Sequence, residues 1–194
     1  MAAEELSRRQ KVQIEDAAGA MKMASIISGQ QVQATAVTFR HLALLAQTKN
    51  NDADVWASLQ ASGALEKITP QLQDRLNRMR YWIQSSHFPD EMRINILTKP
   101  NLKVIQAFTE EEAVILRALF KELSNCEWNQ KGITAAIPRC VETLGVSHKW
   151  IAYKVAYLCL MGIEKGPRLA PILAEMNRVE IIQLLNECIQ VIGN

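Results

Sequence analysis

From Thr38 onward, apolar positions recur at helical spacing, and no alternating apolar–polar run of convincing strand length interrupts them. Phe39, Leu42, Leu45 and Ala46 form a first stripe, and Asn50-Asn51-Asp52 ends that helix and caps the next. Val55, Trp56 and Leu59 carry a second helix to Gly63. Thr69-Pro70 sets a capping hydroxyl before a proline at the first helical position. Leu72, Leu76, Met79 and Ile83 then line a long helix whose outer faces hold Arg75, Arg78 and Arg80, with Trp82 packing beside the stripe. His87-Phe88-Pro89 closes it, and Pro89-Asp90-Glu91 starts a short further turn.

Lys99-Pro100-Asn101 marks a boundary between two helical halves. Beyond it, Thr109 and Glu112 form a capping box, each side chain able to satisfy the other's backbone amide. Val114, Leu116, Phe120 and Leu123 follow, then Ile133, Ile137, Val141 and Leu144, where Pro138 predicts a kink or a late start. Gly145 ends that helix and Ser147 is placed to cap the next. This next helix is apolar nearly all round, with Ile151, Val155 and Leu158 on one stripe and Trp150, Tyr157 and Met161 on another. Such a helix belongs in the middle of a bundle. Gly162 can end it in a left-handed cap, and Lys165-Gly166-Pro167-Arg168 forms a short basic turn. Asn177 with Glu180 makes a further capping box before Ile181, Leu184, Leu185, Cys188 and Ile189. The expected fold is all-α, with about eight or nine helices in two packed sub-bundles over residues 31–97 and 98–194. Residues 1–30 read as a partly helical, loose lead-in.

Composition adds limits. With 194 residues the chain can bury a real core, and 48% hydrophobic against 22% charged residues is ordinary for a soluble protein. No apolar run is long enough to span a bilayer, and no secretory signal is expected at the start. Cys126, Cys140, Cys159 and Cys188 are widely spaced and mostly set in apolar helical patterns, which points to reduced core thiols in a cytoplasmic protein. His41, His87 and His148 approach no ligand spacing, so no metal is expected.

The net charge of +2 is unevenly spread. Six cations face two acids between Trp128 and Arg168, and six face three between Gln71 and Lys103. Residues 110–127 are acidic, with five carboxylates against two bases. This segregation suits a polyanion-binding face, with solvated helix faces as the plainer alternative. No GxSxG, Walker, HExxH or Rossmann fingerprint occurs, so neither a catalytic site nor a cofactor is expected on this chain.

Two stretches resemble the C-terminal region of class I lysyl-tRNA synthetases. One runs from Val37-Thr38-Phe39-Arg40-His41-Leu42 through Trp56, Gly63 and Arg75-Leu76 to Trp82, ending at Phe88-Pro89-Asp90-Glu91. The other leads from Trp150 through Tyr157-Leu158-Cys159-Leu160-Met161-Gly162 into Gly166-Pro167-Arg168-Leu169. The matched parts span residues 37–185. The family's HIGH and KMSKS motifs are absent, so the resemblance implies a non-catalytic, tRNA-binding piece. It also implies a helical cage around the anticodon. Residues 31–97 would form a stem-contacting unit and residues 98–194 an anticodon-binding unit. The implied partners are tRNA-Lys and, in a longer chain, the synthetase's catalytic domain.

On that basis Lys131, Arg139, Lys149, Lys154, Lys165 and Arg168, with Arg75 and Arg78 from the first half, are the candidate tRNA-binding cations. Trp150 beside Lys149 is the preferred base-stacking platform and Trp128 near Lys131 the second, although core packing is the plainer explanation for either tryptophan alone. Lys154, set in an apolar helix, has to snorkel to water or meet a phosphate. Arg168 could instead tie its loop to a helix end. The rival reading of the whole chain is a helical protein-interaction module without RNA binding.

Overall fold

The structure is a computed structural model that describes residues 37–146 and 148–193. The lead-in read over residues 1–30 and the Ser147 cap lie outside the described residues. Among the described residues there are nine α-helices and one 3-10 turn, with no strand, which is the all-α bundle that the periodicity predicts. Helices α1 (Phe39–Thr48), α2 (Asp52–Ala61) and α3 (Pro70–Gln84) are followed by the 3-10 turn Asp90–Met92. Then come α4 (Leu102–Ile105), α5 (Glu110–Asn125), α6 (Gln130–Glu142), α7 (Trp150–Met161), α8 (Leu169–Ala174) and α9 (Arg178–Gly193).

Helix starts are set by side chains that accept orphan amides. Thr38, Asn51, Thr69, Thr109 and Asn129 each accept from a first-turn N–H of the helix that follows. At Thr109 the reciprocal bond from Glu112 is also made, completing the capping box. The box read at Asn177 forms by half: Asn177 accepts from the Val179 amide, while Glu180 is exposed and returns no bond among the described residues. Helix α7 begins at Trp150 with Lys149 in the N-cap position, and the Lys149 side chain makes no cap bond.

The buried side chains fall into two clusters within one compact unit. Leu42, Leu45, Val55, Leu59, Leu72 and Leu76 from α1–α3 make the smaller one. The larger one joins α4–α9 around α7, whose Ala152, Val155, Ala156, Cys159 and Leu160 are fully buried. Lys49 bridges the clusters, its ammonium 3.2 Å from the Glu175 carboxylate and 2.6 Å from the Glu175 carbonyl. Gln47 adds a second link by accepting from the Ile94 amide at 3.0 Å.

Two expected stripes shift, and one expected break is absent. In α5 the buried face is Ala113, Ile115, Leu116, Leu119 and Leu123, whereas Val114 is exposed, because α6, α7 and α9 pack against the Ile115–Leu119 side. Leu144 lies beyond the end of α6 and is exposed in the turn. Helix α6 does not start late, since it begins at Gln130, well ahead of Pro138. It runs through the proline, and the burial of Ile137, Cys140 and Val141 offsets the lost backbone donor. Trp82 packs as expected, with its ring 4.7 Å from Phe88 and 5.6 Å from Phe39. Three of the cysteines are buried free thiols, and burial pushes Cys140 up to about 11, so it stays protonated at neutral pH.

Gly132 sits in the first turn of α6, where a methyl group would overlap the Glu127 carbonyl oxygen. Helix propensity alone would favour alanine there by about 1 kcal/mol. Overlap with backbone outweighs it, so Gly132→Ala is expected to lower stability by about 1–3 kcal/mol in urea unfolding. A rise in the unfolding midpoint would show that the 127–132 turn can yield.

Candidate nucleic-acid interface

Trp150, Lys154 and Tyr157 follow one another at i, i+4 and i+7, so they share one face of α7. At the middle of this face the Lys154 ammonium lies 2.9 Å from Glu112 Oε1 and 3.9 Å from the carboxylate of Glu164. Only 25% of the Lys154 side chain and 11% of the Glu112 side chain meet solvent. The second Glu112 oxygen accepts from the Thr109 amide at 3.0 Å. One carboxylate therefore caps α5 and holds α7. Lys154 keeps some exposure to water, but its ammonium is engaged. It meets an acid from a helix 42 residues away in sequence, a partner the local pattern could not reveal.

Gly162 ends α7 with φ 70°, the left-handed geometry that lets the chain reverse. Residues 163–168 then fold back along the helix. The Tyr157 hydroxyl donates to the Pro167 carbonyl at 2.5 Å and lies 3.2 Å from that of Gly166. A Cβ on Gly166 would come within 3.2 Å of the Tyr157 ring, so the turn's backbone rests on the aromatic edge. Burial raises the Tyr157 phenol above its ordinary 10.0, which keeps the donor protonated. From the other side, the Leu97 amide donates to the Leu160 carbonyl at 2.8 Å, and Asn101 and Leu97 pack against Gly162. The segment carrying Lys99 and Lys103 therefore packs against Gly162, where the turn carrying Lys165 and Arg168 begins. All four cations are exposed and have no ion-pair partner among the described residues.

The remaining candidates are spread more widely. Lys149 pairs with Glu142, Arg139 with Glu122 and Arg78 with Asp74. Each pair has a cation more than half exposed, so water screens it and a competing phosphate could replace the acid at little cost. Arg75 donates to the Val37 carbonyl at 3.1 Å and, with Arg78, belongs to α3 beside the smaller core. Lys131 is exposed in the first turn of α6. The two tryptophans separate. Trp150 is 61% exposed, which leaves its indole face free rather than packed in the core. Trp128 is half-buried, its indole N–H donating to the Met176 carbonyl at 3.0 Å and the Arg178 guanidinium 5.9 Å from its ring, so it serves the fold. The structure thus gathers Trp150, Lys154 and the 165–168 turn along α7, with Lys149 at the helix start, and leaves Lys131, Arg139, Arg75 and Arg78 elsewhere.

Tyr157 and Glu112 are parts of this arrangement that the sequence reading did not single out. Tyr157 lay on a stripe read as core, and its helical spacing from Lys154 was the available clue. Among the described residues no group of three or more potential metal ligands occurs, and no helix is long and apolar enough to cross a membrane.

For Glu112, desolvation pulls the carboxyl upward, but the Lys154 and Thr109 hydrogen bonds and the Lys154 charge outweigh it and hold the group below its ordinary 4.5. The Glu112 hydrogen bond raises Lys154 above its ordinary 10.5 despite partial desolvation, with the Glu112 and Glu164 charges adding to it. A depressed carboxyl contributes stability that is present above pH 4.5 and lost as pH falls through the folded value. A raised ammonium contributes stability that is present below 10.5 and lost as pH rises through its folded value. Glu112→Gln keeps a capping acceptor and removes the charge, so it is expected to destabilise by about 1–2 kcal/mol near neutrality. Its gap from the wild type should close below pH 4.5 and above pH 10.5, as read from urea midpoints across pH. A gap that does not change with pH would remove the ion pair from the account.

A lysine–tRNA ligase of Picrophilus torridus is 27% identical to this chain over 150 residues, covering 76% of the chain and 28% of the ligase. Against protein families, residues 36–189 match the anticodon binding domain, and the chain belongs to that family.

Proposed function

We propose that this chain binds tRNA through its anticodon region, as the non-catalytic RNA-recognition part of a class I lysine–tRNA ligase selecting tRNA-Lys. The matched stretch of the ligase is 28% of its length, so the aminoacylation chemistry and its cofactors would belong to the remainder. The remainder would also be this chain's intramolecular partner, in the cytoplasm. The observation that carries the reading is the exposed turn whose Lys165 and Arg168 have no acid partner among the described residues, beginning where the segment with Lys99 and Lys103 packs against Gly162.

Unpaired anticodon bases can be splayed out and stacked on an indole or a guanidinium plane, while flanking phosphates take ammonium and guanidinium donors. Trp150 and Arg168 are exposed and suit the first task. Lys165, Lys99 and Lys103 suit the second, joined by Lys149 and Arg139 once their solvated pairs exchange. Arg75, Arg78 and the α1–α3 cluster would meet the tRNA stem, with residues 98–194 enclosing the anticodon.

Fluorescence anisotropy with tRNA-Lys and an unrelated tRNA, across a salt series, tests this. Tighter binding of tRNA-Lys is expected, with affinity falling steeply as salt rises. Lys165→Ala with Arg168→Ala should weaken binding and reduce the slope of log K against log salt by about 0.7–0.9 per lost phosphate contact. Unchanged affinity in the double variant would sink the assignment. Equal binding of both tRNAs would leave an RNA binder without anticodon reading.

A further inference from the structure

The turn at residues 163–168 is poorly supported by its own atoms. Ile163, Glu164, Lys165, Gly166 and Arg168 are exposed and Pro167 is half-buried. Residues 163–167 make no backbone–backbone hydrogen bond among the described residues. A segment of this composition, with a glycine at its centre, ordinarily samples many conformations and loses that freedom on binding. What holds it comes from α7: the Tyr157 hydroxyl on the Pro167 and Gly166 carbonyls, the Tyr157 ring under Gly166, and the Lys154 ammonium within 3.9 Å of Glu164. Lys154 is itself fixed by Glu112, whose other oxygen is bound to the start of α5.

We propose that Tyr157 and the Glu112–Lys154 pair are positioning residues, which preset the 163–168 turn so that Lys165 and Arg168 meet an RNA strand without first having to be ordered. This rests on the RNA-binding reading above and sorts its cations into two kinds. Lys165 and Arg168 touch phosphate or base. Lys154 acts on RNA through the shape of the turn, since its charge is committed to carboxylates on both sides. Fixing a binding segment in its bound form raises affinity by removing the ordering cost rather than by adding a contact.

Positioning and contact give different salt behaviour. Tyr157→Phe keeps the ring and removes the hydroxyl, so tRNA Kd should rise roughly 3- to 10-fold with the salt slope unchanged. Lys154→Met should likewise weaken binding at constant slope. A fall of about 0.7–0.9 in its slope would make Lys154 a direct phosphate contact and overturn its part in the proposal. In an Arg168→Ala background the Tyr157→Phe penalty should shrink, because the cation being positioned is gone. A second measurement needs no RNA: tryptic cleavage of the Lys165–Gly166 bond should speed up several-fold in Tyr157→Phe, at a urea midpoint close to that of the wild type. Tyr157→Phe with wild-type cleavage and wild-type Kd overturns the clamp, and if Lys165→Ala and Arg168→Ala still weaken binding, the RNA-binding reading stands. Absence of tRNA binding by the wild type overturns both.

Discussion

A helix without a polar face has to be surrounded, and α7 imposes that demand on the larger half of the molecule. Its alanines, Val155, Cys159 and Leu160 are fully buried, so α4, α5, α6 and α9 close around it. Every polar atom on such a helix then needs a partner from another element. Lys154 finds Glu112, and the Tyr157 hydroxyl finds the carbonyls of the returning chain. The same requirement that buries the helix thus shapes the exposed turn that follows it.

Electrostatics divides the basic residues along the same line. A partly buried ion pair holds its geometry because losing one partner strands the other, whereas an exposed pair is screened and exchanges readily. Lys154–Glu112 belongs to the first kind; Lys149–Glu142, Arg139–Glu122 and Arg78–Asp74 belong to the second. Counting cations along the chain treats them alike. Solvent exposure and partner identity separate those that build the surface from those free to use it.

Much of the fold could be read from local chemistry. The caps at Thr109, Asn51 and Thr69 act within three residues, so sequence spacing contains the whole interaction. The left-handed end at Gly162 is equally local. Phase was harder: the Thr109 cap fixes where α5 starts, but packing by α6, α7 and α9 decides which side faces the core, and it buries Ile115 and exposes Val114. The site was least legible, because its defining contacts join distant residues. Lys154 reaches Glu112, and Leu97 reaches Leu160, across separations that no periodicity encodes. Trp150 shows the opposite error, since its place on an apolar stripe suggested burial although it stands at the exposed first turn.

The Leu97 amide has a consequence for how this chain can vary. Leu160 lies in the last turn of α7, where a carbonyl has no partner within its own helix. The connecting segment of residues 93–101 supplies one. Ordinary surface connections tolerate added or missing residues, but here a change of length would slide the donor away from the helix end and leave a carbonyl unmet beside the core. The spacing between Arg93, which is anchored on the carbonyls of Ile83 and Ser85, and Leu97 is therefore as constrained as any buried position. In this connector, residue number matters more than residue type.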